Sequence, residues 1–417
     1  MNITDLLDTT TIILSGVVIL LAIIAALCSP FFRLKIRNEE EEQEAADCND
    51  EEQAAEANEG SSAPCDPSQG CQPSYLPQVS IILTPHDNAA LLEKHLPALL
   101  YQKYKPGYQV IVVVEQNDHE TEDALKRIDH AYRQQPQDAT LYVTSIPDTS
   151  RYVSRKKLAI TIGVKAAKTE WLLLTEPYTA PTTDQWLATM ARNCTEENNL
   201  VIGYTHYEPS TSAYRRFERF HTAAYLMRED LRGTAYRTNG SNLMFRKTEF
   251  MAQEGYVGNL ELVRGEYDFL VNKYARKGAT ALETDPKAWM AEDEPSKTTW
   301  MHKHVFYVET KKHLFRTAAH NRLYILDLTA SVVYGLAFIA TAVYAAIGMN
   351  PIIAIVAAVS LPIRLITDYV ILRRTIRNFG EDLPYGLWYE RLIPWHKLQY
   401  RIKYRFADKL DFSTHKQ

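Results

Sequence analysis

Short apolar runs alternate with helical patterns through the middle of the chain, and three much longer apolar runs lie on either side. Val79–Leu83, Gln109–Val114, Thr140–Ser145 and Trp171–Leu174 are short and rich in β-forming residues, as expected of strands in a buried parallel sheet. Between them, Leu91–Tyr101, Thr121–Ala131 and Lys156–Ala167 repeat apolar residues at helical spacing. This alternation predicts an α/β fold whose doubly wound, mostly parallel sheet binds ligands at the carboxyl ends of its strands. The sequence contains no internal repeat.

The long runs predict membrane spans. Ile12–Phe32 is uncharged and, at about 1.5 Å per residue, long enough to cross about 30 Å of hydrocarbon. Asp5 and Asp8 precede it, whereas Arg33, Lys35 and Arg37 follow. That order argues for an anchor over a cleaved leader and puts the N-terminus outside. Leu328–Met349 and Pro351–Leu372 predict a hairpin, after which Arg373, Arg374 and Arg377 return the chain to the cytoplasmic side. A multi-pass protein of the inner (cytoplasmic) membrane is expected, with its α/β part cytoplasmic. Arg364 and Asp368 interrupt the third run four residues apart, either as an ion pair inside the bundle or as part of a lipid or glycan path. Beyond Arg377, Trp388, Trp395 and Tyr404 mix with Arg391, Lys397 and Arg401, which predicts an interfacial helix. The expected units are an anchor over 1–37, a linker over 38–78, the α/β domain over 79–322, a helical hairpin over 323–377 and the interfacial segment over 378–417.

The net charge of −5 conceals an uneven distribution. Residues 38–78 hold a dozen acidic side chains and no Lys or Arg, so the rest of the chain is net basic and suits anionic lipid and phosphate-bearing substrates. Such a stretch buries too little apolar surface to offset ordering, and a disordered tether is expected, either a spacer or a partner-binding tail. The five cysteines are too few and too irregular for a disulfide framework. No nucleic-acid motif accompanies the basic clusters, and the spans form no inverted repeat as a transporter would.

The order and intervals of Pro77–Leu83, Glu93–Leu100, Tyr108–Val114, Thr121–Arg127, Lys156–Lys168 and Leu172–Thr175, continued by Asn239–Arg246, Gly265–Asn272 and Arg364–Lys403, resemble the membrane-bound family-2 glycosyltransferases with a GT-A domain. The resemblance implies a nucleotide-sugar donor, a divalent cation (Mg²⁺ or Mn²⁺), and inverting transfer to an acceptor hydroxyl. Asp268 falls where that family's catalytic base sits, although an Asp at a helix start is also an ordinary cap. The resemblance puts Pro85, Asp87, Glu115, Lys156, Lys157 and Glu176 on the donor side, with Glu176 as metal ligand. It puts Asn239, Gly240, Lys312 and His313 on the acceptor side. Lys156 and Lys157 either contact diphosphate or solvate a helix face, and Gly240 marks either an acceptor turn or a plain one.

The departures cluster on chemistry. The family's Asp-x-Asp reads Glu176-Pro177-Tyr178, and a neutral phenol is a poor ligand for Mg²⁺ or Mn²⁺. Its Arg-Asn-Glu reads His86-Asp87-Asn88, and its Gln-x-x-Arg-Trp reads Glu309 to His313, without the planar guanidinium. His302, His304 and His313 offer either an alternative metal site or ordinary surface histidines. Two functions follow from the resemblance. One is a hexosyltransferase-type enzyme acting on a glycan or lipid-linked acceptor; the other is a silent relative that binds a nucleotide sugar or scaffolds a partner glycosyltransferase.

Overall fold

The computed structural model describes residues 9–32, 34, 76–133, 138–147, 152–231, 233–238 and 240–413. Arg33, Lys35 and Arg37, nearly all of the acidic stretch with its three cysteines, and Asn239 lie outside them.

After helix α1 (Thr9–Leu27), the chain alternates β1 (Val79–Leu83), α2 (Ala89–Leu100), β2 (Tyr108–Glu115), α3 (His119–Tyr132), β3 (Ala139–Ile146), α4 (Arg155–Ala166) and β4 (Trp171–Leu174). Then follow β5 (Thr179–Pro181), α5 (Trp186–Ala191), β6 (Leu200–Gly203), β7 (Thr205–Tyr207), α6 (Ala213–Asp230), β8 (Leu243–Arg246), α7 (Lys247–Ala252), α8 (Glu266–Tyr274), β9 (Thr280–Glu283), β10 (Met290–Glu292) and α9 (Lys297–Thr310). The chain ends in α10 (Thr317–Ile347), α11 (Pro351–Asn378), α12 (Gly386–Phe406) and the short α13 (Leu410–Ser413).

The main sheet has the order β3-β2-β1-β4-β8-β6-β9. Strand β8 runs antiparallel to both neighbours, and the remaining pairings are parallel. A mixed α/β domain with a mostly parallel sheet is therefore what the chain forms. Alternate residues of one strand enter different cores. Ile82, Ile111 and Val113 pack with Ile160 and Val164 of α4 and Phe269 of α8. Ile81, Val110 and Val112 pack with Leu92 and Leu96 of α2 and Leu125 of α3. Covering on both faces explains why β1 and β2 are buried along their whole length. A second sheet, β5-β10-β7, extends beyond the carboxyl ends of β4 and β6.

Three helices, α1, α10 and α11, are long and apolar enough to cross a membrane. The expected first span over-reached. Helix α1 ends at Leu27, and turns occupy Cys28–Phe32, where Pro30 disfavours helix at Ser29. Helix α10 starts at Thr317, ahead of the expected Leu328, because Arg322 and Asp327 are carried on its first turns without breaking it. Val18, Ala22 and Ala25 of α1 are buried against Tyr334 of α10, while Ile12, Leu20 and Ile24 are exposed. Small residues thus face the bundle and large ones face outward, as in packed membrane helices. The bundle meets the α/β domain through Phe217, Phe220, Leu372, Ile376 and Phe379.

One connection couples the two parts. Asn272 of α8, almost fully buried, accepts the Phe315 N–H at 2.7 Å and donates to the Phe315 carbonyl at 3.0 Å. Arg316 donates in turn to the Asn272 carbonyl at 2.9 Å. The start of α10 is thereby stapled to α8.

Candidate functional site

The carboxyl ends of β1, β2 and β4 gather the charged side chains expected there. Glu115 closes β2 and pairs with Arg155 at 2.8 Å and His86 at 3.1 Å. Pro85 is buried at the end of β1, and the exposed Asp87 follows with a left-handed φ of 51°, a conformation Asp tolerates better than most residues. The Asp87 N–H donates to Asp118 at 3.1 Å, and Asp118 also caps α3 through the Thr121 N–H at 3.1 Å. Burial opposes ionisation of Asp118, but its hydrogen bonds from Thr121 hold its pKa below the usual range.

Helix α4 places consecutive cations on two strands. Arg155 reaches Glu115, and Lys156 pairs with Glu176 just beyond β4. Ser154 caps α4 by accepting the Lys157 N–H at 3.3 Å, which fixes where these side chains emerge. The Lys157 ammonium goes elsewhere. It is buried, donates to the carbonyls of Asn259 and Leu262 at 2.6 Å each, and lies over the Phe269 ring at 4.7 Å. Burial lowers its pKa to about 8. Lys157 braces the 259–262 loop, so of the expected basic pair only Lys156 stands at the strand ends.

The opposite wall is α8. Gly265 occupies its cap position with φ 96°, and a Cβ there would meet Thr310 of α9 at 2.7 Å. Asp268 therefore is not the cap; it lies in the first turn, 3.6 Å from Arg237. Arg237 is held over the Tyr307 ring at 4.0 Å. Burial raises the Asp268 pKa, Arg237 opposes this, Glu266 adds to it and Lys303 lowers it. Lys156 lies 5.9 Å from the Tyr267 ring, one residue from Asp268. Lys303 is in the field of Glu176 as well as of Asp268. Arg155 and Lys156, adjacent on α4, thus hold Glu115 and Glu176, and Glu176 and Asp268 share the field of Lys303.

Glu292 of β10 pairs with Arg219 at 2.6 Å and with Lys303 at 3.6 Å. Gly240 serves this pair, because a Cβ at its position would lie 2.6 Å from the Arg219 guanidinium. Tyr178 sits among Glu176, Glu292, Arg264 and Arg219. Burial, then Glu176 and Glu292, push its phenol well above its ordinary pKa, so it remains neutral.

Lys312 and His313 are gathered by Glu309 instead, at 3.0 Å and 3.3 Å, and Glu309 also accepts from Tyr404 of α12. This cluster ties the end of α9 to α12. His304 pairs with Glu218 at 2.9 Å and stacks on Tyr400, while His302 is exposed. Among the described residues no three His, Cys, Asp or Glu side chains gather to hold a metal ion. Sequence reasoning missed Arg155, Arg219, Arg237, Glu292 and Lys303. Only Arg155, adjacent to the basic pair, left a local signal.

No family profile and no curated protein matches the chain. Similar solved structures include the mannosyltransferase PcManGT from Pyrobaculum calidifontis in complex with GDP-Man and Mn²⁺. It is 17% identical with a TM-score of 0.45, the match covering 74% of this chain and 88% of that one. Staphylococcus aureus (S. aureus) TarS 1-349 in complex with UDP-GlcNAc is 13% identical with a TM-score of 0.40, covering 61% and 72%.

Proposed function

We propose that this chain is a membrane-anchored inverting glycosyltransferase, moving a sugar from a nucleotide-sugar donor to a glycan or lipid-linked acceptor on the cytoplasmic face. The observation that supports this best is that Glu176, paired with Lys156 at the strand ends, and Asp268 on α8 share the field of Lys303, with Lys156 5.9 Å from the ring of the adjacent Tyr267. The donor nucleotide lies along the strand ends by Pro85, Asp87 and Glu115, with its diphosphate at Lys156. An acceptor hydroxyl enters from the α8 side and gives its proton to the Asp268 carboxylate. Its oxygen bonds to the anomeric carbon as the bond from that carbon to the diphosphate oxygen breaks. The leaving diphosphate keeps the electron pair, beside the positive charge of Lys156 and Lys303. Attack opposite the departing group inverts the anomeric centre. A raised pKa suits Asp268 to take a proton.

A divalent cation, which the family resemblance implies, does not fit the donor set. Glu176 is paired with Lys156, Tyr178 is a neutral phenol, and no third acidic, His or Cys ligand joins them among the described residues. The diphosphate charge therefore falls to side-chain cations.

The same Tyr178 favours a second reading, a silent relative that binds a nucleotide sugar or scaffolds a partner glycosyltransferase. Purified full-length protein incubated with UDP- and GDP-sugars separates the two. Asp268→Asn is expected to lower transfer or donor hydrolysis by about 10²–10⁴-fold while donor affinity by calorimetry changes less than about 3-fold. Donor binding without Asp268-dependent turnover supports the silent reading. Absence of both binding and turnover overturns the transferase and the nucleotide-sugar binder alike.

A further inference from the structure

A polar cavity, of about 180 Å³, lies where the helical bundle meets the α/β domain. Helices α10 and α11 and the turn after α1 reach it, together with α6 and α12. Three acids line it, Asp327, Asp368 and Glu390, against three bases, Arg364, Arg391 and Lys397. Arg364 pairs with Asp368 at 3.0 Å and donates to Ser331 at 3.3 Å. Arg391 reaches the same Asp368 oxygen at 3.2 Å. Arg364 is only 6% exposed, and its Nη1 has no hydrogen-bond partner among the described residues. A guanidinium so buried with a free donor is costly unless something accepts from it.

The chemistry of the lining restricts what that acceptor is. A phosphate dianion needs surplus cations, and a quaternary amine needs surplus anions or an aromatic cage. Here the formal charges balance, three acids against three bases. His221, which also lines the cavity, is pushed down to about 3 by burial and stays an uncharged imidazole. Interspersed donors and acceptors without net charge match hydroxyl groups, which donate and accept in turn. Leu328 locates the mouth. It lines the cavity yet is 48% exposed on α10, continuous with exposed Val332 and Leu336. The cavity therefore opens sideways onto the apolar face that hydrocarbon tails would cover.

We propose that this cavity binds the uncharged, hydroxyl-rich headgroup of a membrane glycolipid, a single sugar ring whose tails lie along α10. The site stands on its own chemistry and does not require that the chain transfer sugars.

Native mass spectrometry of the full-length protein in detergent, with monoglucosyl-diacylglycerol and phosphatidylglycerol as competing probes, tests it. Retention of one glucosyl lipid at least about 10-fold in preference to phosphatidylglycerol is expected. Ser331→Leu, which fills the lining with an apolar side chain, is expected to abolish that preference, and Glu390→Gln on α12 to weaken it at least about 3-fold without entering the bundle. Tyr142→Ser on β3, remote from the cavity, leaves it unchanged. Soluble methyl glucoside at equal concentration should fail to displace the lipid. Equal or tighter phosphatidylglycerol binding, retention indifferent to both cavity variants, or displacement by methyl glucoside would overturn the proposal.

Discussion

The strand ends and the base of the helical bundle both gather buried carboxylates and cations, but they connect them differently. At the strand ends each carboxylate is held by side chains from other elements. Arg155 and His86 hold Glu115, Lys156 holds Glu176, and Arg219 and Lys303 hold Glu292. In the bundle a single carboxylate, Asp368, is shared by Arg364 on its own helix and Arg391 on α12. Carboxylates spread over several elements, each with its own cations, distribute positive charge along a surface an anion can occupy. Two guanidiniums on one carboxylate leave positive charge that the other acids of the cavity, Asp327 and Glu390, formally balance.

The largest effect expected from this contrast is on stability. Arg219 and Glu292 are both nearly fully buried, so Arg219→Met should cost about 3–5 kcal/mol by leaving Glu292 without its nearer cation. Arg364→Met should cost markedly less, because Asp368 keeps Arg391 at 3.2 Å, whereas Glu292 keeps only the more distant Lys303 at 3.6 Å. Denaturant unfolding of both variants in the same detergent checks the order, and equal losses would erase the distinction between the two sites.

Next comes donor binding. Lys156→Gln should weaken UDP or GDP affinity by about 10–100-fold, the loss of one charge-assisted contact. Calorimetry measures it, and added Mn²⁺ should not restore it. A strong Mn²⁺ enhancement in the unmodified protein would show that Tyr178 does not prevent coordination.

The smallest effect concerns pH. Arg237 lowers the pKa of Asp268 against the upward pull of burial. Only the ionised carboxylate accepts a proton, so activity should rise as pH passes the folded-state pKa, which lies above the ordinary Asp value. Arg237→Gln should move that acid limb of kcat/KM to higher pH. In stability the sign is opposite. A carboxylate whose folded pKa is raised contributes fully below its unfolded value, and the contribution is lost as pH rises through the folded pKa. An unmoved acid limb in Arg237→Gln would detach Asp268 from the pH profile.

The parallel strands and the carboxylates at their ends were readable because each depends on local pattern. Glu115 and Glu176 terminate apolar runs, and Asp268 opens one. Their partners were not readable for the opposite reason. Arg219 and Arg237 sit among ordinary charged residues of α6 and the segment after it, and only tertiary packing brings them to Glu292 and Asp268. Lys157 misled because adjacency on a helix says nothing of direction: neighbours lie about 100° apart around the axis, so Lys156 met Glu176 while Lys157 met the 259–262 loop. Arg364 and Asp368 were readable as a pair from four-residue spacing, but Arg391 as a third member was not.

With α10 in a bilayer, the Asn272 staple would turn that bilayer into a ruler. Helix α10 is one unbroken rod from Thr317 to Ile347, and the two residues before it are fastened to the same short helix that carries Asp268. The altitude of that carboxylate above the lipid surface would be set by where the rod floats. In the proposed transfer, an acceptor whose reactive hydroxyl stands too near the surface, or too far from it, would be passed over whatever its chemistry.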